Sequence, residues 1–169
     1  MIYMSESASS ILVAKNQWLS QHVDVEFPTQ ESLLGRALFL EKSAACEVRK
    51  LSHESESHEE SRTLDIYKVD FHRLTVMFAL LQSKRWDKHH EQKLIVEFLS
   101  QIIFSEPCDL YIAFLNGEPA ASAIVTKQQN TLLISDIVTL GSEREAFIAS
   151  LLSHQSIEAP LFSDIYIES

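Results

Sequence analysis

Helical and strand-like spacings of apolar side chains take turns along this chain, and their order divides it into elements. The first forty residues read as helical. Ile11, Leu12, Ala14, Lys15, Trp18 and Leu19 give a partly amphipathic stretch, after which polar residues lead to Pro28. Thr29 suits the N-cap of a second helix carrying Leu33, Leu34, Ala37, Leu38 and Phe39, because its hydroxyl can accept from a first-turn amide. Gly35 inside that helix weakens it. Cys46–Leu51 and Thr63–Val69 each alternate apolar and polar positions, as half-buried strands do. The segment between them, residues 52–61, carries no apolar side chain and reads as a solvated hairpin loop.

Two further helices follow. Phe71, Leu74, Phe78 and Leu81 make one stripe, widened by Met77 and Leu80. Leu94, Ile95, Phe98, Leu99, Ile102 and Ile103 make the cleanest stripe of the chain, with Asp87 as the expected N-cap. A meander comes next. Asp109–Leu115 is nearly all apolar, Asn116-Gly117 is a strong hairpin signal, and Ala120–Thr126 returns. Lys127–Asn130 turns again into a third strand, Thr131–Leu140. Ser142-Glu143-Arg144-Glu145 reads as a capping box opening a helix whose buried face carries Ala146, Phe147, Leu151 and Leu152. Beyond Pro160, Leu161–Ile167 gives a last strand.

Length and composition then narrow the class. A chain of 169 residues with 46% hydrophobic and 22% charged side chains fits one globular domain. Within it, residues 1–44 form a helical extension and residues 45–169 a sheet-and-helix core. Cys46 and Cys108 share no metal-ligand or CxxC spacing and read as reduced core thiols. Neither a leader pattern nor a long apolar run stands in the sequence, so the cytoplasm is the expected compartment. The net charge of −10 repels nucleic acid and anionic membranes and argues against both as partners.

From Thr63 onward the order is strand, helix, helix, three strands, helix, strand, and it contains Leu110-Tyr111-Ile112-Ala113-Phe114-Leu115-Asn116-Gly117-Glu118-Pro119-Ala120-Ala121-Ser122-Ala123. This stretch resembles the central hairpin of the GNAT (acyl-CoA N-acyltransferase) family, and the resemblance runs over residues 63–169. It implies an α+β fold with a mostly antiparallel central sheet flanked by helices. It also implies a strand before the third family helix that splays from its neighbour and bonds the acyl-pantetheine arm through its backbone. Amides of the following loop would then hold the pyrophosphate of acetyl-CoA. On this chain those positions are Ile137, Val138 and Thr139 for the thioester, and Gly141, Ser142 and Arg144 for the pyrophosphate. The family's loop pattern is Arg/Gln-x-x-Gly-x-Gly/Ala. With Gly141 as its first glycine, Val138 replaces the Arg or Gln and Glu143 the second glycine. Glu143 and Glu145 would oppose a pyrophosphate by about 1 kcal/mol each near the surface. The family also continues past its fifth strand with a helix and two strands, and often carries a tyrosine acid there, a place that Tyr166 does not match. Here the N-terminal helices and the Cys46–Leu51 strand, or a second protomer in a homodimer, are expected to cover that sheet edge.

Asp136 is the candidate catalytic residue. Between Ile134 and Val138, a buried carboxylate can have its pKa raised toward that of a useful base. The other reading has it bonding a neighbouring backbone group or facing solvent. His53 and His58, set among Glu54, Glu56, Glu59 and Glu60, stand one residue too far apart for a zincin helix, and no metal is expected. His89-His90-Glu91 reads as an exposed helix start. Two functions therefore stand open. One is an N-acetyltransferase that moves an acetyl group from acetyl-CoA to a small-molecule or protein amine, with Asp136 as base. The other is a degenerate, non-catalytic GNAT-like binding or regulatory module that has lost coenzyme A.

Overall fold

A computed structural model describes residues 5–51 and 64–169. Helix α1 (Glu6–Gln21) opens where the Ser5 hydroxyl accepts from Ala8 N at 3.2 Å, and α2 (Gln30–Ala44) where the Thr29 hydroxyl accepts from Ser32 N at 3.1 Å. Strands β1 (Val48–Lys50) and β2 (Asp65–Lys68) are followed by α3 (His72–Ser83) and α4 (His89–Leu99). Then come the meander β3 (Cys108–Leu115), β4 (Glu118–Gln128) and β5 (Thr131–Thr139), helix α5 (Arg144–Ser153), a 3-10 turn (Ala159–Leu161) and β6 (Asp164–Glu168). Asn116 and Gly117 both take positive φ, 53° and 79°, which is why that pair makes the tight β3–β4 turn.

The six strands form one sheet in the order β1-β6-β5-β4-β3-β2, antiparallel throughout except for the parallel pair β5–β6. The architecture is α+β, as the residue pattern implied. The pairing of its first two strands is not. Read as a hairpin, β1 and β2 instead lie at opposite edges: Val48–Lys50 pair with Glu168–Tyr166, and Asp65–Lys68 with Phe114–Tyr111. Alternation marks a strand but carries no record of its partner. The N-terminal strand thus covers the outer edge of β6, one of the two coverings expected there.

Helices α1, α3 and α4 lie on one face of the sheet, where Trp18, Phe78 and Phe98 meet Leu110, Ile112 and Ile124 in a buried cluster. Helix α5 lies on the other, where Phe147, Ile148 and Leu151 meet Tyr111, Ile134 and Ile167. Helix α2 rests on α4 through a face that carries Ser32, Gly35 and Phe39, with the Phe39 ring against Phe98. A Cβ on Gly35 would fall 2.1 Å from the Leu94 carbonyl oxygen, so the glycine that looked like a weakness is what lets the two backbones touch. Leu34, expected inside, is 45% exposed as a result. Three local expectations also shift. Lys88, not Asp87, is the N-cap of α4, Ile103 is 71% exposed, and Glu143 rather than Ser142 holds the N-cap of α5, so no capping box forms.

Candidate functional site

The site begins with a bulge in β5. Ile124 of β4 stands opposite Ser135 and Ser122 opposite Val138, so Ala123 faces two residues of β5, Asp136 and Ile137. Asp136 takes up the extra residue with φ 53°, a left-handed conformation that costs roughly 1–2 kcal/mol and that Asp tolerates better than most. On its other side β5 pairs with β6 only from Thr131–Asp164 to Ile134–Ile167. Past Ile134, β5 has no strand on that side among the described residues. Beside the bulge β5 outruns β6, which ends at Glu168, one residue past its last pair.

A lysine stands at the end of that pairing. Lys15, on the apolar face of α1, is fully buried, and its Nζ donates to Asp136 Oδ2 at 3.1 Å and to Glu168 Oε1 at 2.5 Å. Its ammonium therefore ties β5 to β6 where their backbones no longer bond. Arg85, just beyond α3, donates from Nη1 to Asp136 Oδ1 at 3.1 Å and to Gln82 Oε1 at 3.0 Å. Gln82 Nε2 in turn donates to the Asp136 carbonyl at 2.6 Å and to Ser122 Oγ at 3.0 Å, and Ser135 Oγ donates to Asp136 Oδ2 at 2.8 Å. The Arg85 side chain is 16% exposed and lies near the rings of Phe39 and Trp86, each about 5.5 Å away. Two cations, two carboxylates and their hydrogen-bonding partners thus make a closed, charge-balanced unit under α1.

The electrostatics follow from that count. Burial pushes the Asp136 carboxyl upward, but the charges of Lys15 and Arg85 and the Ser135 hydrogen bond outweigh it and hold the group below the ordinary aspartate range. The upward shift expected for a catalytic base is absent because two cations face this carboxylate. Glu168 goes the other way: burial raises its pKa, the neighbouring Asp136 charge adds to that, and Lys15 only partly offsets it. Burial draws Lys15 down, yet two carboxylates lift it above an ordinary lysine. The unit holds a proton on Lys15 and keeps Asp136 charged.

The structure brings only some of the sequence-nominated residues to this place. Ile137 follows the bulge and packs toward the α5 side, while Val138 and Thr139 pair with Ser122 and Ala121 along β4. Gly141 and Ser142 lie exposed in the turn, and Arg144 is half-buried at the first position of α5. A Cβ on Gly141 would meet the Glu143 carboxylate oxygens at 2.6 and 2.8 Å, so that carboxylate lies over the turn expected to take a pyrophosphate. His89 and His90 are exposed, and His53 and His58 lie outside the described residues. Among the described residues no grouping of three or more His, Cys, Asp or Glu side chains could hold a metal, and no helix is long and apolar enough to cross a membrane.

Lys15, Arg85, Gln82 and Glu168 are the members that the residue pattern did not nominate. One signal was present: Lys15 sits on the same helical stripe as Ile11, Trp18 and Leu19, where a lysine needs a buried counter-charge. Arg85 stands in the run Lys84–Lys88, and nothing in its spacing marks it as a partner of Asp136.

From Asp65 onward the elements follow the order strand, helix, helix, three strands, helix, strand that the residue pattern implied. The strand before α5 pairs in parallel with β6 as far as Ile134–Ile167, and β6 ends at Glu168. No family model matches the chain, and no curated protein matches it. Among solved structures, it is similar to a GCN5-related N-acetyltransferase from Kribbella flavida, with 13% identity and a TM-score of 0.45 over 80% of this chain. The chain spans 54% of the length of that protein. It is also similar to a functionally unknown conserved protein from Staphylococcus epidermidis, with 14% identity and a TM-score of 0.48, covering all of this chain and 71% of the other.

Acetyl-CoA is the cofactor that the resemblance implies, and the residues present do not fit it. The Lys15 ammonium and two carboxylates occupy the end of the β5–β6 pairing, where the resemblance would place an acyl-pantetheine arm, and the Glu143 carboxylate covers the turn at Gly141. Placing a pyrophosphate there would set anion against anion.

Proposed function

We propose that this chain is a GNAT-like binding or regulatory module that does not transfer an acetyl group. The observation that carries the proposal is the bridge from Lys15 to Asp136 and Glu168, which closes the end of the β5–β6 pairing. In that reading the bulge, retained at Asp136, serves architecture. It turns a carboxylate toward α1 and α3 so that the N-terminal helix locks onto the sheet. Glu143 over Gly141 supports the same reading at the turn beyond β5.

The acetyltransferase reading is supported by the family resemblance of residues 63–169. It would use the amides of Ile137, Val138 and Thr139 for the thioester and those near Gly141, Ser142 and Arg144 for the pyrophosphate. It also asks Asp136 to accept a proton from an amine, which a carboxylate held low by two cations does poorly.

Thermal unfolding with added acetyl-CoA separates the two. A binding site saturated at 100 times its dissociation constant stabilises a fold by about 2.7 kcal/mol. The module reading expects no shift of the midpoint at millimolar acetyl-CoA. A clear upward shift that disappears in Arg144→Glu would establish the cofactor site and overturn it.

A further inference from the structure

Away from the Lys15 unit, α3 and α4 leave a groove of about 770 Å3 between them, closed at one end by the meander. Met77, Leu80 and Leu81 come from α3, Val96 from α4, Pro119 from β4, and Leu140 from just beyond β5. Leu80 is 50% exposed and Leu140 55%. Apolar side chains from four elements converge on one concavity while water still reaches them, an arrangement that favours a ligand able to displace that water.

The rim decides what kind. Lys84, His89 and Lys93 stand on it, with Glu97 as the one carboxylate. Neither Lys84 nor Lys93 forms an ion pair among the described residues. On a chain of net charge −10, this edge is a local reversal of sign. An apolar floor with a cationic rim complements a molecule with a hydrocarbon body and one anionic head. The volume falls within the ~300–1,000 Å3 of small-molecule sites, whereas a folded partner would need about 800 Å2 of its own surface buried.

We propose that this groove binds an unbranched fatty carboxylate, its chain laid along Leu80, Val96 and Leu140 and its head held by Lys84 and Lys93. The site is distinct from the Lys15 unit and does not depend on the fate of acetyl-CoA there. The test is calorimetric titration of the full chain with dodecanoate below its micellar range. One molecule is expected to bind per chain. Dodecanol, equal in length but uncharged, should bind at least tenfold more weakly. Lys84→Glu combined with Lys93→Glu should weaken dodecanoate at least tenfold, and Leu80→Glu should abolish saturable binding. These positions are exposed, so an unchanged thermal midpoint in the absence of ligand certifies that each variant is folded. Saturable 1:1 binding that survives millimolar acetyl-CoA supports the proposal. Three results overturn it: no saturable binding by the wild-type chain, equal affinity for dodecanol, or affinity untouched in the folded variants.

Discussion

The two faces of β5 are buried to the same degree and held in opposite ways. Toward α5, Ile134 lies among Phe147, Leu151 and Ile167, and nothing there carries charge. Toward α1 and α3, Leu133 packs on Ala8 and Ile11, but Ser135 and Asp136 lie against Lys15, Arg85 and Gln82 through polar contacts. An apolar contact tolerates a partner of the right size. A buried charge tolerates only its counter-charge, since an orphaned ion inside a protein costs several kcal/mol. The polar face therefore specifies which helix covers it, and the apolar face supplies bulk stability. A pocket meant to open for a ligand would gain nothing from such a lock.

Truncations on either side should break this contrast open. Lys15→Met removes the shared cation and should cost about 3–5 kcal/mol in urea unfolding, comparable with Phe147→Ala on the apolar face. The two losses should then respond differently to a second change. Glu168→Gln added to Lys15→Met removes a stranded carboxylate and should restore at least about 1 kcal/mol, whereas the same change added to Phe147→Ala should give no recovery. Equal responses in both backgrounds would mean that the charged face is not organised around Lys15.

A second buried polar group sharpens the comparison through pH. His22 is buried, its Nδ1 accepts from Ile103 N at 3.2 Å, and its Nε2 has no hydrogen-bond partner among the described residues. Burial lowers its pKa from 6.5 to about 4. The folded state thus refuses a proton that the unfolded chain takes up below pH 6.5. Stability is complete above that pH and falls as pH drops toward 4, by on the order of 3 kcal/mol. His22→Leu should flatten that slope between pH 6.5 and 4 while leaving the steeper loss at lower pH, where the carboxyl of Asp136 is protonated.

The smallest of these effects concerns helix contact. Gly35→Ala places a methyl group against the Leu94 carbonyl oxygen and should destabilise by about 1–3 kcal/mol, although alanine is the better helix former. A stabilising substitution there would contradict the close approach of α2 and α4.

Much of the frame was legible in the sequence because its signals are local. Asn116-Gly117 fixes a turn by the backbone conformations those residues accept, Thr29 caps by its own hydroxyl, and the stripe from Leu94 to Leu99 needs only a period. What escaped is what local pattern does not encode. Strand alternation at Val48–Lys50 could not name β6 as its partner, so two edge strands looked like a hairpin. Gly35 reads as a flaw until a second helix is laid against it. Asp136 was read as a carboxylate raised by burial, but that burial is outweighed by Lys15 and Arg85, which lie 121 and 51 residues away in the chain. Lys15 itself was visible as a charge on an apolar stripe, and that oddity was the clue to the site.

A double-mutant cycle between Lys15→Met and Asp136→Asn, followed by equilibrium urea unfolding at neutral pH, bears most directly on whether a buried cation closes the end of the β5–β6 pairing. The account predicts strong coupling, with the double variant at least about 2 kcal/mol more stable than the sum of the single losses implies. Losses that add to within about 0.5 kcal/mol would show that the lysine and the aspartate do not meet, and the account of this site would fail.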